Sequence, residues 1–230
     1  MKIPILVFFL FFQMYFLNTG CGSVKDKSYI VKFVNKVITI DGVLEKQDWM
    51  FADSINGLSA PWDTIVNDKT VFKSFCSGKF FYFCFDVHDP IIITHNYENE
   101  LTVAQGDRVE LFFSETPDMN KYYCIEMDPL GHILDYSAKY YRKFDYKWNF
   151  DNVLIATTFT ENGYVVEGCI PLEEFKEIEI KDAFLLGVYR ADFQSDTPDN
   201  VIWYTWIEPD SEGPDFHIPS SLGNCFFEKQ

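Results

Sequence analysis

The stretch VLIATTFTENGYVVEGCI, residues 153–170, decides the fold. Two runs rich in Val, Ile, Thr, Phe and Tyr flank Glu161-Asn162-Gly163. Asn-Gly closes tight hairpins because both residues tolerate positive φ. The pattern predicts strands over 153–160 and 164–170. Outward from this hairpin the same texture recurs over 30–34, 37–40, 70–76, 80–87, 108–113, 121–128, 132–138, 184–193 and 201–207, in several cases with period-two alternation. Ser77-Gly78-Lys79 and Asp128-Pro129-Leu130-Gly131 punctuate the runs as turns. Helical signals are confined to a short segment over 44–51, after Asp41-Gly42, and one turn over 172–175, after Pro171. Many short strands at close spacing predict an all-β chain: a two-sheet antiparallel β-sandwich with one or two short helices.

Composition narrows the partners. The 230 residues carry 19 Lys+Arg against 35 Asp+Glu, a net charge of −16. That balance argues against nucleic acid, which is bound by basic groups releasing counterions, and against docking on anionic lipid through a basic patch. With 47% hydrophobic and 18% aromatic residues, a packed core is affordable and disorder is not expected.

The amino terminus reads as an export signal. Lys2 precedes an apolar run from Ile3 to about Leu17, too short for a spanning helix of ~20 residues. Thr19-Gly20-Cys21 resembles the end of a bacterial lipobox, in which the cysteine becomes the acylated terminus. The alternative is ordinary cleavage with Cys21 as a free thiol. The expected organisation is a signal over 1–20, lipidated Cys21 with a short tether over 21–29, and the sandwich over 30–230. The protein is then exported and lipid-anchored in a bacterial cell envelope, at the outer membrane or cell surface. Cysteines 76, 84, 124, 169 and 225 are odd in number and lack zinc spacing, so they read as buried apolar residues. One bridge, such as Cys124 with Cys169, stays open.

Neither a GxSxG nor an HExxH motif is present, nor a phosphate-cradling glycine loop. His132 follows a turn glycine and His217 stands in a loop segment, so both are expected on the surface. The charged residues inside strands carry more information. Alternation puts Arg108 and Glu110 on one face of their strand, Glu126 on a face with Tyr122, and Arg190 with Asp192. Charges in apolar strands must pair with each other, as a structural ladder, or line a solvated concavity. In the second case carboxylates and guanidinium groups form a polar floor for a ligand rich in hydroxyls. Aromatic rings complete such a site, since the CH face of a sugar stacks on Trp or Tyr. Trp62, Trp148, Trp203 and Trp206 lie near strand ends or in loops, whereas Trp49 falls in a helical segment and is expected in the core. Trp203 and Trp206 differ in parity, so only one is expected to reach ligand.

Five blocks of the sequence, taken in order, resemble carbohydrate-binding module family 9 and its relatives in bacterial exported proteins. They are Ile40-Asp41-Gly42 followed by Asp48-Trp49, KFFYFCFDVHDP over 79–90, GDRVELFF over 106–113, YYCIEMDPLG over 122–131, and Asp215-Phe216-His217-Ile218-Pro219 with Leu222-Gly223. The resemblance implies a sandwich that binds glycans without cleaving them, between two clamping aromatics and beside a glutamate matched here by Glu110. The position of the first clamp aromatic holds Ala104, and Tyr97 is the nearest upstream ring. Trp206 or Trp203 matches the second. The candidate ligand-binding set is therefore Arg108, Glu110, Glu126, Arg190, Trp206, Trp203 and Tyr97, with no catalytic residue and no cofactor. The resemblance also implies structural calcium in some relatives, with Asp41, Asp53 and Asp89 as candidates here.

The expected partner is a glycan or oligosaccharide, with polysaccharide-degrading proteins as neighbours and the membrane reached through the lipid anchor alone. Three rivals remain. Glu126-Met127-Asp128 resembles the start of the ExDxxE motif of family 16 glycoside hydrolases, although Leu130-Gly131 follow without the second glutamate. Glu110 with Glu126 would then supply the two carboxyls of a hydrolase. A haem-carrying sandwich of the DOMON type needs axial ligands, for which Met119, Met127 and the scattered histidines make no convincing pair. A degenerate scaffold binding a partner protein is the third.

Overall fold

The computed structural model describes residues 27–44, 46–64 and 68–229. The expected signal, Cys21 and most of the tether lie outside them. Among the described residues no helix is long and apolar enough to cross a membrane.

The strands are β1 (Ser28–Phe33), β2 (Asp53–Asn56), β3 (Val71–Ser77), β4 (Phe80–His88), β5 (Arg108–Ser114), β6 (Tyr122–Met127), β7 (Ile133–Lys139), β8 (Lys143–Asp145), β9 (Leu154–Thr160), β10 (Gly163–Pro171), β11 (Ala183–Phe193), β12 (Val201–Thr205) and β13 (Gly223–Phe227). Two short helices, α1 (Lys46–Trp49) and α2 (Leu172–Glu177), fall where expected. The front sheet runs β8-β7-β6-β5-β11-β13, with β12 also on β11; the back sheet runs β3-β4-β10-β9, with β2 on β3. The β9–β10 hairpin closes at Gly163, where a Cβ would lie 1.9 Å from the Val87 carbonyl oxygen.

Two features depart from the expected arrangement. The sandwich is not purely antiparallel: β1 pairs in parallel with β13 through Ser28–Val31 and with β3 through Lys32–Phe33, so one strand belongs to both sheets and turns the corner between them. Residues 37–40 are not a strand, while β2, β8 and β13 were not anticipated. Those three are short, and Asp-Ser-Ile-Asn or Gly-Asn-Cys-Phe-Phe carries no clean alternation.

Between the sheets lies the main core, including Phe72, Phe81, Phe83, Phe85, Phe113, Phe175 and Trp206. Each outer face carries its own cluster. On the front, Phe112, Tyr122, Tyr136, Tyr189 and Phe216 pack together; on the back, Trp49, Phe75, Tyr82, Cys84 and Cys169 do so. Cys124 lies in the front cluster and Cys169 in the back one, so the two face away from each other across the sandwich. All five described cysteines are buried and unbonded.

The Ile-Asp-Gly…Trp block has a structural role. Glu167 on β10 accepts hydrogen bonds from the Asp41 and Gly42 amides, at 2.9 and 3.0 Å, and from Trp49 Nε1 at 3.3 Å. Gly42 has φ +77°, and a Cβ there would lie 2.9 Å from the Thr157 carbonyl carbon. The block thus latches the amino-terminal segment over the back sheet.

Candidate functional site

On β5 the alternation resolves as Val109, Leu111 and Phe113 toward the main core, leaving Arg108 and Glu110 on the outer front face. The register with β6 sets Glu126 directly opposite Glu110. Arg108 joins them: its Nε donates to Glu126 Oε2 at 2.6 Å and lies 3.0 Å from Glu110 Oε1. Its Nη1 donates to the Ala104 and Gly106 carbonyls. Tyr136 on β7 donates its hydroxyl to Glu126 Oε1 at 2.9 Å. Glu110 Oε1, in contrast, is off the line of the Arg108 N–H and remains a buried oxygen with no hydrogen-bond partner. Such an atom costs free energy unless something reaches it.

These three side chains form the floor of a cleft of about 250 Å³, walled by Trp203, Arg142 and the 214–217 loop. Trp203 stands opposite Ala191 on β11, which is itself opposite Arg108 on β5, so its ring shares their face. The Arg108 guanidinium lies 5.3 Å from the Trp203 ring centre. Phe216 meets Trp203 edge-on at 5.7 Å and stacks on Tyr189 at 4.1 Å, which seats the loop on the sheet. At the rim Arg142 pairs with Asp215 at 2.8 Å, and the Tyr141 hydroxyl donates to the same carboxylate.

Electrostatics divide the floor. Burial, then the Glu126 charge, raise the Glu110 pKa to about 8 against the opposing pull of Arg108, so Glu110 is a neutral acid near pH 7. Burial and the nearby Arg142 lower His217 to about 3, leaving a neutral imidazole whose Nδ1 is 3.0 Å from the Tyr122 hydroxyl. The cleft therefore presents a carboxylic acid, a guanidinium, an imidazole and an indole face: donors and acceptors for hydroxyls beside an apolar ring.

Of the expected set, Arg108, Glu110, Glu126 and Trp203 come together. Arg190 does not. It is opposite Val109, on the core-facing side of β11, where it is 2% exposed and pairs with Asp68, Asp89 and Asp192. Trp206 is also withdrawn: at 6% exposure it packs in the main core, edge-on to Tyr29, and is no platform for a sugar. Tyr97 is exposed but lines a neighbouring cleft with Tyr146 and Leu134. His217, expected at the surface, is mostly buried in the cleft wall. Tyr136, Arg142 and Phe216 were not singled out; the Asp215-Phe216-His217 block was the available signal for the last.

The proposed calcium candidates are dispersed. Asp53 pairs with Lys32, Asp41 accepts the Val43 amide, and Asp89 pairs with Arg190. Asp89, Asp107 and Asp192 do bring carboxylate oxygens within 4.8 Å of one another. Asp107 accepts the Ile93 and Phe193 amides, and Arg190 forms ion pairs with Asp89 and Asp192, although Asp89 Oδ2, 2.9 Å from Arg190, has no aligned hydrogen-bond donor. Arg190 is the cation of this cluster.

A family model described as carbohydrate family 9 binding domain-like matches residues 40–230. No curated protein sequence matches the chain significantly. Among solved structures, a Bacteroides uniformis ATCC 8492 protein with a provisional carbohydrate-binding assignment superposes with a TM-score of 0.72, at 18% identity over 88% of this chain and 99% of that one. A carbohydrate-binding module family 9 from Caldicellulosiruptor kristjanssonii in complex with glucose gives 0.63, at 17% identity over 89% and 97%. The same source's module in complex with cellotriose gives 0.61, at 16% over 89% and 95%.

Proposed function

The chain belongs to the carbohydrate family 9 binding domain-like family, and on that premise we propose that it is a non-catalytic glycan-binding protein using the Arg108–Glu110–Glu126 cleft. The observation that carries the reading is the unpartnered Glu110 oxygen, buried at the floor of an open cleft beside Trp203. A sugar hydroxyl supplies the missing partner, and the indole supports the ring's apolar face. Binding without hydrolysis is supported by the position of Arg108. Hydrolysis needs two carboxyls flanking a glycosidic bond, with room for it between them. Here the guanidinium occupies the space between them, hydrogen-bonded to Glu126 and 3.0 Å from Glu110 Oε1.

The protein is read as exported and anchored through Cys21 at a bacterial outer membrane or cell surface, serving polysaccharide use beside degrading enzymes. The lipobox-like sequence supports this. A Cys21→Ala variant that stays in the membrane fraction would sink it. The glycan reading is tested on a glycan array followed by calorimetry with Glu110→Ala and Trp203→Ala. Both variants are expected to weaken binding at least tenfold. Unchanged affinity in both removes the cleft from the site.

A further inference from the structure

We infer that two copies of this chain pair through the free edge of β9, extending the back sheet across a twofold axis centred on Thr157. β9 ends the back sheet, with β10 on one side and no strand on the other among the described residues. The loop to β10 is Glu161-Asn162, so Thr160 and Gly163 flank it as a hydrogen-bonded pair, and Thr158, Ala156 and Leu154 repeat that pairing. Ile155, Thr157 and Phe159 therefore aim their N–H and C=O groups away from the sheet. Among the described residues no backbone hydrogen bond outside the ladder reaches them. An edge of this kind is a template for another strand, and proteins protect it with charge, proline or brevity. The far end of the front sheet is protected in this way: β8 is 3 residues long and carries Lys143 and Asp145. β9 has 7 residues, Leu-Ile-Ala-Thr-Thr-Phe-Thr, with no charge, proline or glycine.

The sequence of this edge fits itself. Antiparallel pairing about Thr157 sets that residue opposite its own copy and Ile155 opposite Phe159, each pair exchanging both hydrogen bonds. Between them Ala156 meets Thr158 and Leu154 meets Thr160, while Glu161 falls opposite Val153 and not another carboxylate. On a chain of net charge −16, an interface between identical copies requires such a place, where no like charges meet. Apolar surface borders the same edge. Leu154 and Phe159 are 59% and 53% exposed. Two loops touch the faces of β9: a Cβ on Gly42 would lie 2.8 Å from Thr158 Oγ1, and one on Gly131 3.5 Å from Thr157 Oγ1. Their neighbours Val43 and Leu130 are exposed as well. Apolar side chains gathered along an unpaired edge mark a contact surface. The axis of an antiparallel pair is normal to the sheet, so both front faces look the same way and the two Arg108–Glu110–Glu126 clefts open on one side of the dimer. On the glycan reading above, one polysaccharide surface engages both; the pairing itself does not depend on that reading.

The test is sedimentation equilibrium of the purified protein, carrying Cys21→Ala to remove the one cysteine outside the described residues. The parent is expected to reach twice the chain mass as its concentration rises. Phe159→Lys puts a charge opposite Ile155 of the second copy, at a position exposed in the single chain. It should weaken association at least tenfold with the circular dichroism spectrum unchanged. Cross-linking with diamide as oxidant checks the register and decides the matter if Phe159→Lys fails to fold. Thr157→Cys faces itself across the axis at about 5.5 Å between Cα atoms and should form a disulfide-linked dimer. Leu154→Cys, opposite Thr160, should not. A parent that stays monomeric at every concentration overturns the inference. So does association unchanged in folded Phe159→Lys, or cross-linking of Thr157→Cys no better than that of Leu154→Cys.

Discussion

Glu110 and Glu126 stand directly opposite one another on β5 and β6 and share a single guanidinium, yet only Glu126 receives its hydrogen bond. Burial disfavours the charged form of Glu110, and two carboxyls this close resist ionising together. Glu110, raised to about 8, is accordingly the neutral member near pH 7.

Ligand affinity should therefore change above pH 8, where Glu110 ionises and ceases to be a donor. Glu110→Gln keeps an uncharged donor at every pH. Titration calorimetry between pH 6 and 9.5 is expected to show a pH-dependent affinity in the parent and a flat profile in the variant. A flat parent profile contradicts the assignment.

Stability should fall as the pH rises from about 5 to 9. Glu110, Asp107 and Asp192 have folded pKa values raised to about 8, 7 and 6, each with burial as its largest cause. The native state then holds protons that the unfolded chain has released, so the stabilisation present below the unfolded pKa is lost as pH climbs through the folded values. Thermal melts across this range check the sign, and a rising melting temperature refutes it.

The two tryptophans of the 203–206 segment should separate binding from folding. Trp206→Ala leaves a core cavity and should cost about 3–5 kcal/mol. Trp203→Ala, at the half-buried cleft wall, should lower affinity by roughly tenfold with a small change in melting temperature. Denaturation and binding on both variants decide the matter.

Arg190→Met should destabilise by about 3–5 kcal/mol, because it strands Asp68, Asp89 and Asp192 without their cation. Any folded fraction should bind glycan as the parent does, since Arg190 faces away from the cleft. Weakened binding by fully folded Arg190→Met would place this residue in the site after all.

Glu167→Ala should loosen the amino-terminal latch. Removal of one acceptor abandons three donors, two of them backbone amides, at a cost of about 1–3 kcal/mol or more. Hydrogen exchange should accelerate at Asp41 and Gly42 and stay unchanged at Arg108. Uniform protection in the variant would show that the latch is not needed.

Alternation made the shared face of Arg108 and Glu110 legible, and the Glu161-Asn162-Gly163 turn made the β9–β10 hairpin legible, although Gly163 pairs with Thr160 and the connecting residues are Glu161 and Asn162. The 3-10 turn over Glu100–Gln105 was not anticipated, although Asn99 and Thr102, whose side chains cap it reciprocally, were the signal for it. The clustering of Arg142, Asp215 and His217 was not legible. These residues are brought to the cleft by the packing of Phe216 on Tyr189, a contact between segments far apart in the chain.

The sequence by itself determined an acidic, aromatic-rich β-sandwich, the strands that carry charge and which charges share a face. Only the tertiary structure decided which face that was. On β11, Tyr189 points to the outer cluster while Arg190 and Asp192 point inward, although alternation permits either choice. A period of two fixes relative orientation along a strand, and absolute orientation comes from what covers each side. β11 is buried on both faces, by the opposing sheet on one and by the Phe216 loop on the other, so its sequence holds no contrast from which the inner face could be read.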